Sequence, residues 1–120
     1  MAQLKELSSI CSLIFVSLFI SGVVSTNFTI TNNCNYTVWP GISNTGSSPQ
    51  FSSTGLVLQK GESKTFTAPT GWGGRVWGRT YCSQNSTGNF SCLTGDCGSG
   101  KVECLGNNGV SPQTLAEFQL

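Results

Sequence analysis

The sequence predicts an all-β protein, and three features of its pattern support that class. Short segments alternate apolar with polar residues, as strands with one buried face do. Turn-forming residues separate these segments, and the chain contains 15 glycines and 4 prolines. No window shows the spacing of an amphipathic helix. We therefore expect a β-sandwich built from short strands.

The first 25 residues have the pattern of a secretory signal peptide, and this pattern sets the domain boundaries. Charged residues near the start precede an apolar run from Ile10 to Ile20, and small residues follow up to Ser25. The run is shorter than the ~20 residues that span a bilayer, so a signal anchor is the less favoured alternative. Cleavage after Ser25 would remove Cys11 and leave residues 26–120 as one small secreted domain without a transmembrane segment.

Five strand candidates follow in the mature chain. In order they are Phe28–Thr31, Tyr36–Trp39, Leu56–Leu58, Lys64–Ala68 and Arg75–Tyr81. Pro40 and Gly41 are expected to end the second strand. Residues 41–55 are predicted to form a loop because they have no period and are rich in Ser, Gly and Thr. Residues 117–120 alternate like a further strand.

The longest candidate carries two arginines and a tryptophan. Alternation places four of its side chains on one face: Arg75, Trp77, Arg79 and Tyr81. One interpretation is a solvated face on which guanidinium groups stack on the indole. The other is a wall of a carbohydrate-binding cleft. The spacing by itself favours the solvated face.

Residues 88–104 combine three cysteines, four glycines and an aspartate in seventeen positions. Glycines at this density disfavour a helix and supply the positive φ angles of tight turns. Zinc sites usually have closely paired cysteines, often with histidine, whereas this chain has no histidine. We therefore expect disulfides, and neither a metal nor a cofactor. The five cysteines of the mature chain allow many arrangements of two bridges, with one cysteine left over.

Charge and residue types exclude several functions. The mature chain has five Lys or Arg against four acidic residues, and no basic run that would bind nucleic acid. Without histidine, Ser-His-Asp and Cys-His catalysis are excluded. Glycoside hydrolysis needs two carboxyl groups about 5–10 Å apart. Glu62 and Glu103 are expected to be solvated, and Asp96 to cap backbone amides.

The cysteine-rich run also carries a resemblance to a known family. It matches the pattern G-x-F-x-C-x-T-G-D-C-x-x-G-x-x-x-C, which is similar to the signature of the thaumatin-like proteins, the pathogenesis-related group that contains thaumatin and osmotin. Further similar blocks are Asn33-Cys34, Tyr36–Trp39, Arg75–Thr80 and Thr114–Phe118. The resemblance covers residues 28–120 and the amino-terminal half of that family, so we expect an incomplete domain. The alternative is a shortened but functional member.

The resemblance implies a fold and a disulfide pattern. The fold is a flattened β-sandwich with disulfide-rich loops, and the bridges are Cys82–Cys92 and Cys97–Cys104. The first cysteine of the family normally bonds one near the far carboxyl end, in the half that this chain does not resemble. Cys34 is therefore predicted to be left over, and to form either an intermolecular disulfide or a reactive thiol.

The resemblance also implies a function, which is antifungal defence by a secreted plant protein that binds fungal cell-wall β-1,3-glucan or perturbs the fungal membrane. Members line an acidic cleft with one arginine, one glutamate and three aspartates. The arginine corresponds to Arg75, with Arg79 less favoured, and the glutamate to Glu117, while the aspartates would follow residue 120. The alternatives are weak β-1,3-glucan endohydrolysis by the full-length protein and an inactive fragment that does not fold alone. The expected destination is the apoplast, with the vacuole as the alternative.

Four N-x-S/T sequons mark candidate glycosylation sites in a secreted chain. They lie at Asn27, Asn35, Asn85 and Asn89. Asn27 is close to the expected mature start. Asn85 and Asn89, inside the Cys82–Cys92 loop, are therefore the favoured pair.

Overall fold

The structure is a computed structural model that describes residues 13–19, 26–49 and 51–120, with the backbone alone for the first range. Within these ranges the chain forms eight β-strands and no helix. In chain order the strands are β1 (Leu13–Phe19), β2 (Thr26–Asn32), β3 (Gly41–Asn44), β4 (Ser63–Ala68), β5 (Gly73–Trp77), β6 (Thr80–Gln84), β7 (Phe90–Thr94) and β8 (Leu115–Gln119).

The strands form two three-stranded sheets and one two-stranded sheet. The strand orders are β1-β2-β4, β3-β5-β8 and β6-β7. All pairings between neighbouring strands are antiparallel. In the second sheet β5 is central, so Arg75 has Ser43 as its neighbour on one side and Glu117 on the other.

Both three-stranded sheets contribute to one hydrophobic core. Buried residues from β2, β3, β4, β5 and the connecting loops form it: Phe28, Ile30, Ile42, Phe51, Leu56, Leu58, Ala68, Trp72 and Val76. The ring of Phe28 on β2 meets that of Phe118 on β8 edge to face, with centroids 4.9 Å apart. Two sheets that share a core in this way are a β-sandwich, which confirms the predicted fold class.

Most predicted strands are present, but the segment around residue 41 differs. The first, fourth and last candidates lie in β2, β4 and β8. The second and third are reduced to an isolated bridge between Val38 and Leu58. The predicted loop begins instead with strand β3, because Gly41 lies against the Trp77 ring, where a Cβ atom would come within 2.5 Å. A glycine therefore allows this pairing, and periodicity cannot detect it.

The longest predicted strand is interrupted after Trp77. Gly78 and Arg79 separate β5 from β6, and the backbone of Arg79 exchanges hydrogen bonds with that of Trp39 instead. The predicted common face is therefore wrong, because Trp77 and Arg79 are fully buried whereas Tyr81 is 70% exposed. Tyr81 has a φ of 54°, so the backbone turns at this point and the simple alternation of side chains fails.

The predicted leader falls mainly outside the described residues, and so do Cys11 and the expected cleavage position at Ser25. Residues 13–19 of that segment form β1, which pairs with β2 from Leu13 opposite Asn32 to Phe19 opposite Thr26. A search of the described residues finds no helix that is long and apolar enough to cross a membrane.

Candidate functional site

Arg75 and Glu117 form an ion pair on the face of the second sheet that points away from the core. The two residues are direct neighbours across β5 and β8. The Arg75 Nε group donates a hydrogen bond to Glu117 Oε2 at 2.7 Å. Their side chains are 33% and 61% exposed. The next residue along β5, Val76, points into the core, so alternation directs Arg75 outward.

The local sequence explains how the strand that carries Arg75 packs closely against its neighbours. Gly74 precedes Arg75, and a Cβ atom there would come within 2.2 Å of the Trp72 ring and 2.4 Å of the Ser43 carbonyl oxygen. Glycine is therefore required for β3 and the indole to approach β5 this closely. On the other side of Arg75, Ser43 is buried and donates its hydroxyl hydrogen to Asn108 Oδ1 at 2.7 Å.

Arg79 has the opposite environment, fully buried and bound to backbone carbonyl groups. Its Nε donates to the Trp39 oxygen at 2.7 Å, and Nη2 donates to the oxygens of Pro40 and Val102 at 3.2 and 2.7 Å. The guanidinium carbon also lies 5.6 Å from the Phe90 ring centroid. A side chain held in this way joins three segments and is not presented to a ligand.

Burial lowers the pKa of Arg79 to about 10, and the negative charges of Asp96 and Glu103 partly oppose that shift. The guanidinium group therefore stays charged at neutral pH. Since its nearest polar partners are carbonyl oxygens, the cation is satisfied by hydrogen bonds rather than by a direct ion pair.

Two disulfides flank this buried arginine. The structure joins Cys82 to Cys92 and Cys97 to Cys104, the pairs that the resemblance implied. Cys34 is disulfide-bonded as well, and its partner is not among the described residues. The prediction that Cys34 is left over concerns residues 26–120 alone. It stays a prediction, because the other four cysteines of that range bond one another.

The other acidic side chains of residues 26–120 hold loops in place. Asp96 accepts hydrogen bonds from the backbone N–H groups of Cys92 and Gly98 at 2.9 and 3.0 Å, which confirms its predicted capping role. Glu103 was expected to be simply solvated, but it accepts bonds from the backbone and hydroxyl of Thr54 at 3.0 and 2.7 Å. Glu103 lies next to Cys104 in the chain, and the fold brings it to the loop that contains Thr54. The spacing of residues in the sequence does not show this contact.

Glu62 completes this group of loop-holding acids, since its carboxylate accepts a bond from the backbone of Gln59 at 2.8 Å. In the part of the chain that the structure describes, no three His, Cys, Asp or Glu side chains cluster in a way that would hold a metal ion. Glu117 differs from the other three in that it pairs with a charged side chain, on a neighbouring strand, at the surface.

The candidate glycosylation sites have different surroundings. Asn27 lies within β2 and accepts a hydrogen bond from the Thr67 hydroxyl at 2.8 Å. Asn35, Asn85 and Asn89 are exposed, and the last two flank the turn between β6 and β7. The Asn85 side-chain oxygen accepts bonds from the backbone and hydroxyl of Thr87.

Comparison with protein families identifies the relationship. The model of the Thaumatin family matches residues 32–120. The chain belongs to this family. A protein named "PR5-like receptor kinase" from Arabidopsis thaliana is 50% identical over 112 residues, covering 93% of this chain and 17% of that protein. A Prunus avium protein named "Glucan endo-1,3-beta-glucosidase" is 41% identical over 118 residues, or 98% of this chain and 48% of that protein.

A solved structure supports the thaumatin-like fold as well. The thaumatin-like xylanase inhibitor TLXI matches with a TM-score of 0.62 and 36% sequence identity, over 77% of this chain and 58% of that chain. The chain spans less than half the length of the relatives named above, with shares of 17% and 48%. The residues described here therefore correspond to one part of a larger family architecture.

Proposed function

We propose that this protein is a secreted plant defence protein that binds fungal cell-wall β-1,3-glucan through Arg75 and Glu117. The observation that carries the proposal is the exposed ion pair, which presents a guanidinium and a carboxylate together on the outer face of a sheet. Support also comes from a family member whose name is a glucan endo-1,3-glucosidase. Secretion to the apoplast is part of the proposal, with the vacuole as the alternative destination.

The hydrogen-bonding capacity of the pair suits a neutral sugar. Arginine has five N–H donors and the ion pair uses the one on Nε, while Glu117 Oε1 accepts no hydrogen bond from the described residues. The remaining donors and acceptor can therefore bind sugar hydroxyl groups. Because each side chain holds the other, less conformational entropy is lost when a ligand binds.

Binding is favoured over hydrolysis by the hydrogen bonds that the other acidic residues already make. A glycosidase needs a second carboxyl group within about 5–10 Å of the first. The other acids of the described chain, Glu62, Asp96 and Glu103, are each engaged with loop backbone. Weak endohydrolysis by the full-length protein would need a carboxylate that follows residue 120.

The proposal is tested by incubating the secreted product of the full transcript with insoluble β-1,3-glucan and with laminarin, a soluble form. We expect saturable binding without release of reducing sugar. Arg75→Ala and Glu117→Gln should each weaken binding about tenfold, since each removes a hydrogen bond that involves a charged group. Lys60→Ala, which removes an exposed charge elsewhere, is the matched control.

The other outcomes separate the alternatives. Sugar release that Glu117→Gln abolishes would favour the hydrolase. Leakage from lipid vesicles without glucan binding would favour membrane perturbation. A protein that is folded, as judged by circular dichroism, and that does neither would contradict the proposed function. An unfolded product would favour the inactive fragment.

A further inference from the structure

Tyr36 and Tyr81 form an aromatic pair that the sequence did not single out. Their rings are nearly parallel, with an interplanar angle of 18° and centroids 6.4 Å apart. Tyr81 lies on β6 and is 70% exposed, while Tyr36 is half-buried. Among the described residues neither phenol hydroxyl has a hydrogen-bond partner. An exposed aromatic ring with a free polar end is therefore available at the surface.

The backbone of Tyr81 adopts an unfavourable conformation in order to place the ring outward. Its φ of 54° lies in the left-handed region, which side chains with a Cβ atom rarely adopt. The neighbours on both sides hold it there: Thr80 donates its backbone N–H to Thr94 Oγ1 at 3.1 Å, and Cys82 is bonded to Cys92. Strain of this kind persists where the surrounding structure over-determines it, and it concentrates at functional positions.

The two strands of the sheet that holds Tyr81 carry no charge. Strands β6 and β7 have the sequences TYCSQ and FSCLT, without any acidic or basic residue. Their exposed side chains next to Tyr81 include the hydroxyl groups of Ser83 and Ser91 and the apolar side chain of Leu93, which is 77% exposed. On these two strands a ligand therefore meets an aromatic face and hydroxyl groups rather than charged groups.

We propose that Tyr36 and Tyr81 form a stacking platform for one pyranose ring of a neutral glucan. The apolar C–H face of a pyranose packs on an aromatic ring, and its hydroxyl groups reach polar groups at the rim, such as the phenol oxygens. The two rings are nearly parallel and their centroids lie 6.4 Å apart, and the exposed Tyr81 ring is the one that binds. The platform is a second subsite on the β6-β7 sheet and rests on the proposed function for the identity of its polymer.

A membrane surface fits the same features less well. Interfacial binding needs a broad apolar face, and attraction to anionic lipid needs basic residues. The exposed apolar side chain near Tyr81 on these strands is Leu93, and neither strand carries a lysine or arginine. The aromatic and hydroxyl composition therefore favours the sugar.

The test measures laminarin binding by three variants of the secreted product of the full transcript. Tyr81→Asn removes the ring and keeps the left-handed backbone, because asparagine adopts positive φ more readily than tyrosine. We expect it to bind about five- to tenfold more weakly, while its melting temperature is unchanged or higher. Tyr81→Phe, which keeps the ring, should stay within about twofold of the wild type. Val110→Ser, at a side chain that is 61% exposed and lies outside strands β6 and β7, is the matched control and should bind like the wild type.

A second readout uses the wild-type protein alone. Nitration of Tyr81 by tetranitromethane, mapped by mass spectrometry, should slow in the presence of laminarin. It should not slow in the presence of vesicles of phosphatidylcholine and ergosterol. Protection by vesicles with no protection by laminarin would overturn the platform in favour of membrane contact.

The outcomes distinguish this inference from the proposed function. If Arg75→Ala weakens binding and Tyr81→Asn does not, the platform is wrong and the proposed site stands. If Tyr81→Asn weakens binding and Arg75→Ala does not, the platform stands and the ion pair is not the binding site. A folded wild-type protein that does not bind laminarin would overturn both.

Discussion

Arg75 and Arg79 are four residues apart, yet the molecule uses them in different ways. Arg75 is partly exposed and pairs with one carboxylate on the neighbouring strand. Arg79 is fully buried and donates to the carbonyl oxygens of Trp39, Pro40 and Val102. We call the surroundings of the first the outer pair and those of the second the buried knot.

The contrast separates residues that bind from residues that hold the fold. A surface ion pair contributes little to stability, about 0–1 kcal/mol, because water screens the charges in both states. A buried cation loses its hydration and must recover that cost through several hydrogen bonds. The buried knot is therefore sensitive to any change, whereas the outer pair can change at little cost to folding. We expect function to be altered most cleanly at the outer pair.

The largest expected effect is at Arg79. Replacing it with methionine keeps an apolar side chain of similar length. It leaves the Val102 oxygen without its donor and removes one of the two donors from the oxygens of Trp39 and Pro40. We expect a loss of about 2–4 kcal/mol in the free energy of unfolding, because the missing hydrogen bonds outweigh the relief of burying a charge. Urea denaturation followed by tryptophan fluorescence would measure it.

Arg79→Lys and pH provide the controls for that measurement. An ammonium group cannot span the three carbonyls as the planar fork does, so Arg79→Lys should fall between wild type and Arg79→Met. The pKa of Arg79 in the folded protein, about 10, lies below its ordinary value, so the unfolded chain binds more protons above about pH 10 and stability rises with pH there. Arg79 stays charged from pH 5 to 9. The difference in free energy of unfolding between wild type and Arg79→Met should therefore be constant over that range. An unchanged urea midpoint for Arg79→Met would contradict the structural role.

The second effect concerns the Cys97–Cys104 disulfide, which packs with Trp77 in a small buried cluster. Replacing both cysteines with alanine should cost about 2–3 kcal/mol from the released loop alone. The loss of contacts with Trp77 should add to this, so the near-ultraviolet dichroism of tryptophan should also weaken.

The Cys82–Cys92 pair is the matched control for that experiment. It closes a loop of similar length, with a sequence separation of 10 against 7. Strands β6 and β7 already pair around it, so its removal should cost less. If removing Cys82–Cys92 lowers the free energy of unfolding more than removing Cys97–Cys104 does, then the β6-β7 sheet depends on its disulfide more than the buried cluster around Trp77 does.

Sequence reasoning located both regions but could not separate them. The all-β class followed from alternation, and the bridges at Cys82–Cys92 and Cys97–Cys104 followed from the resemblance. Alternation placed Arg75 and Arg79 on one face because it assumes an unbroken strand. The interruption at Gly78 comes from tertiary contacts, including the pairing of Arg79 with Trp39, which are distant in the chain.

The burial of Trp77 shows the same limitation. Its indole N–H donates to the Gly95 oxygen at 2.8 Å, and Gly109 lies so close that a Cβ atom there would come within 2.4 Å of the same nitrogen. Both contacts come from loops that have no periodic pattern. The outward position of Tyr81 depends on a positive φ, which no local signal predicts for a tyrosine. Contacts between residues far apart in the chain therefore determine the burial of Trp77 and the exposure of Tyr81, which the sequence pattern does not predict.

The smallest expected effect on stability is at the outer pair, and exchanging its charges tests the comparison most directly. Arg75→Glu or Glu117→Arg alone places like charges side by side and should cost about 0.5–1 kcal/mol at low salt. The double variant restores an opposite pair across β5 and β8, so its stability should return to within about 0.5 kcal/mol of wild type. Since both side chains are partly exposed, the coupling between them should shrink as salt is raised.

Glucan binding should not return with stability, because the guanidinium would then project from the outer strand rather than from the centre of the sheet. Recovery of both properties would mean that the ligand senses only the presence of the pair, and loss of stability in the double variant would mean that the outer pair belongs to the framework after all.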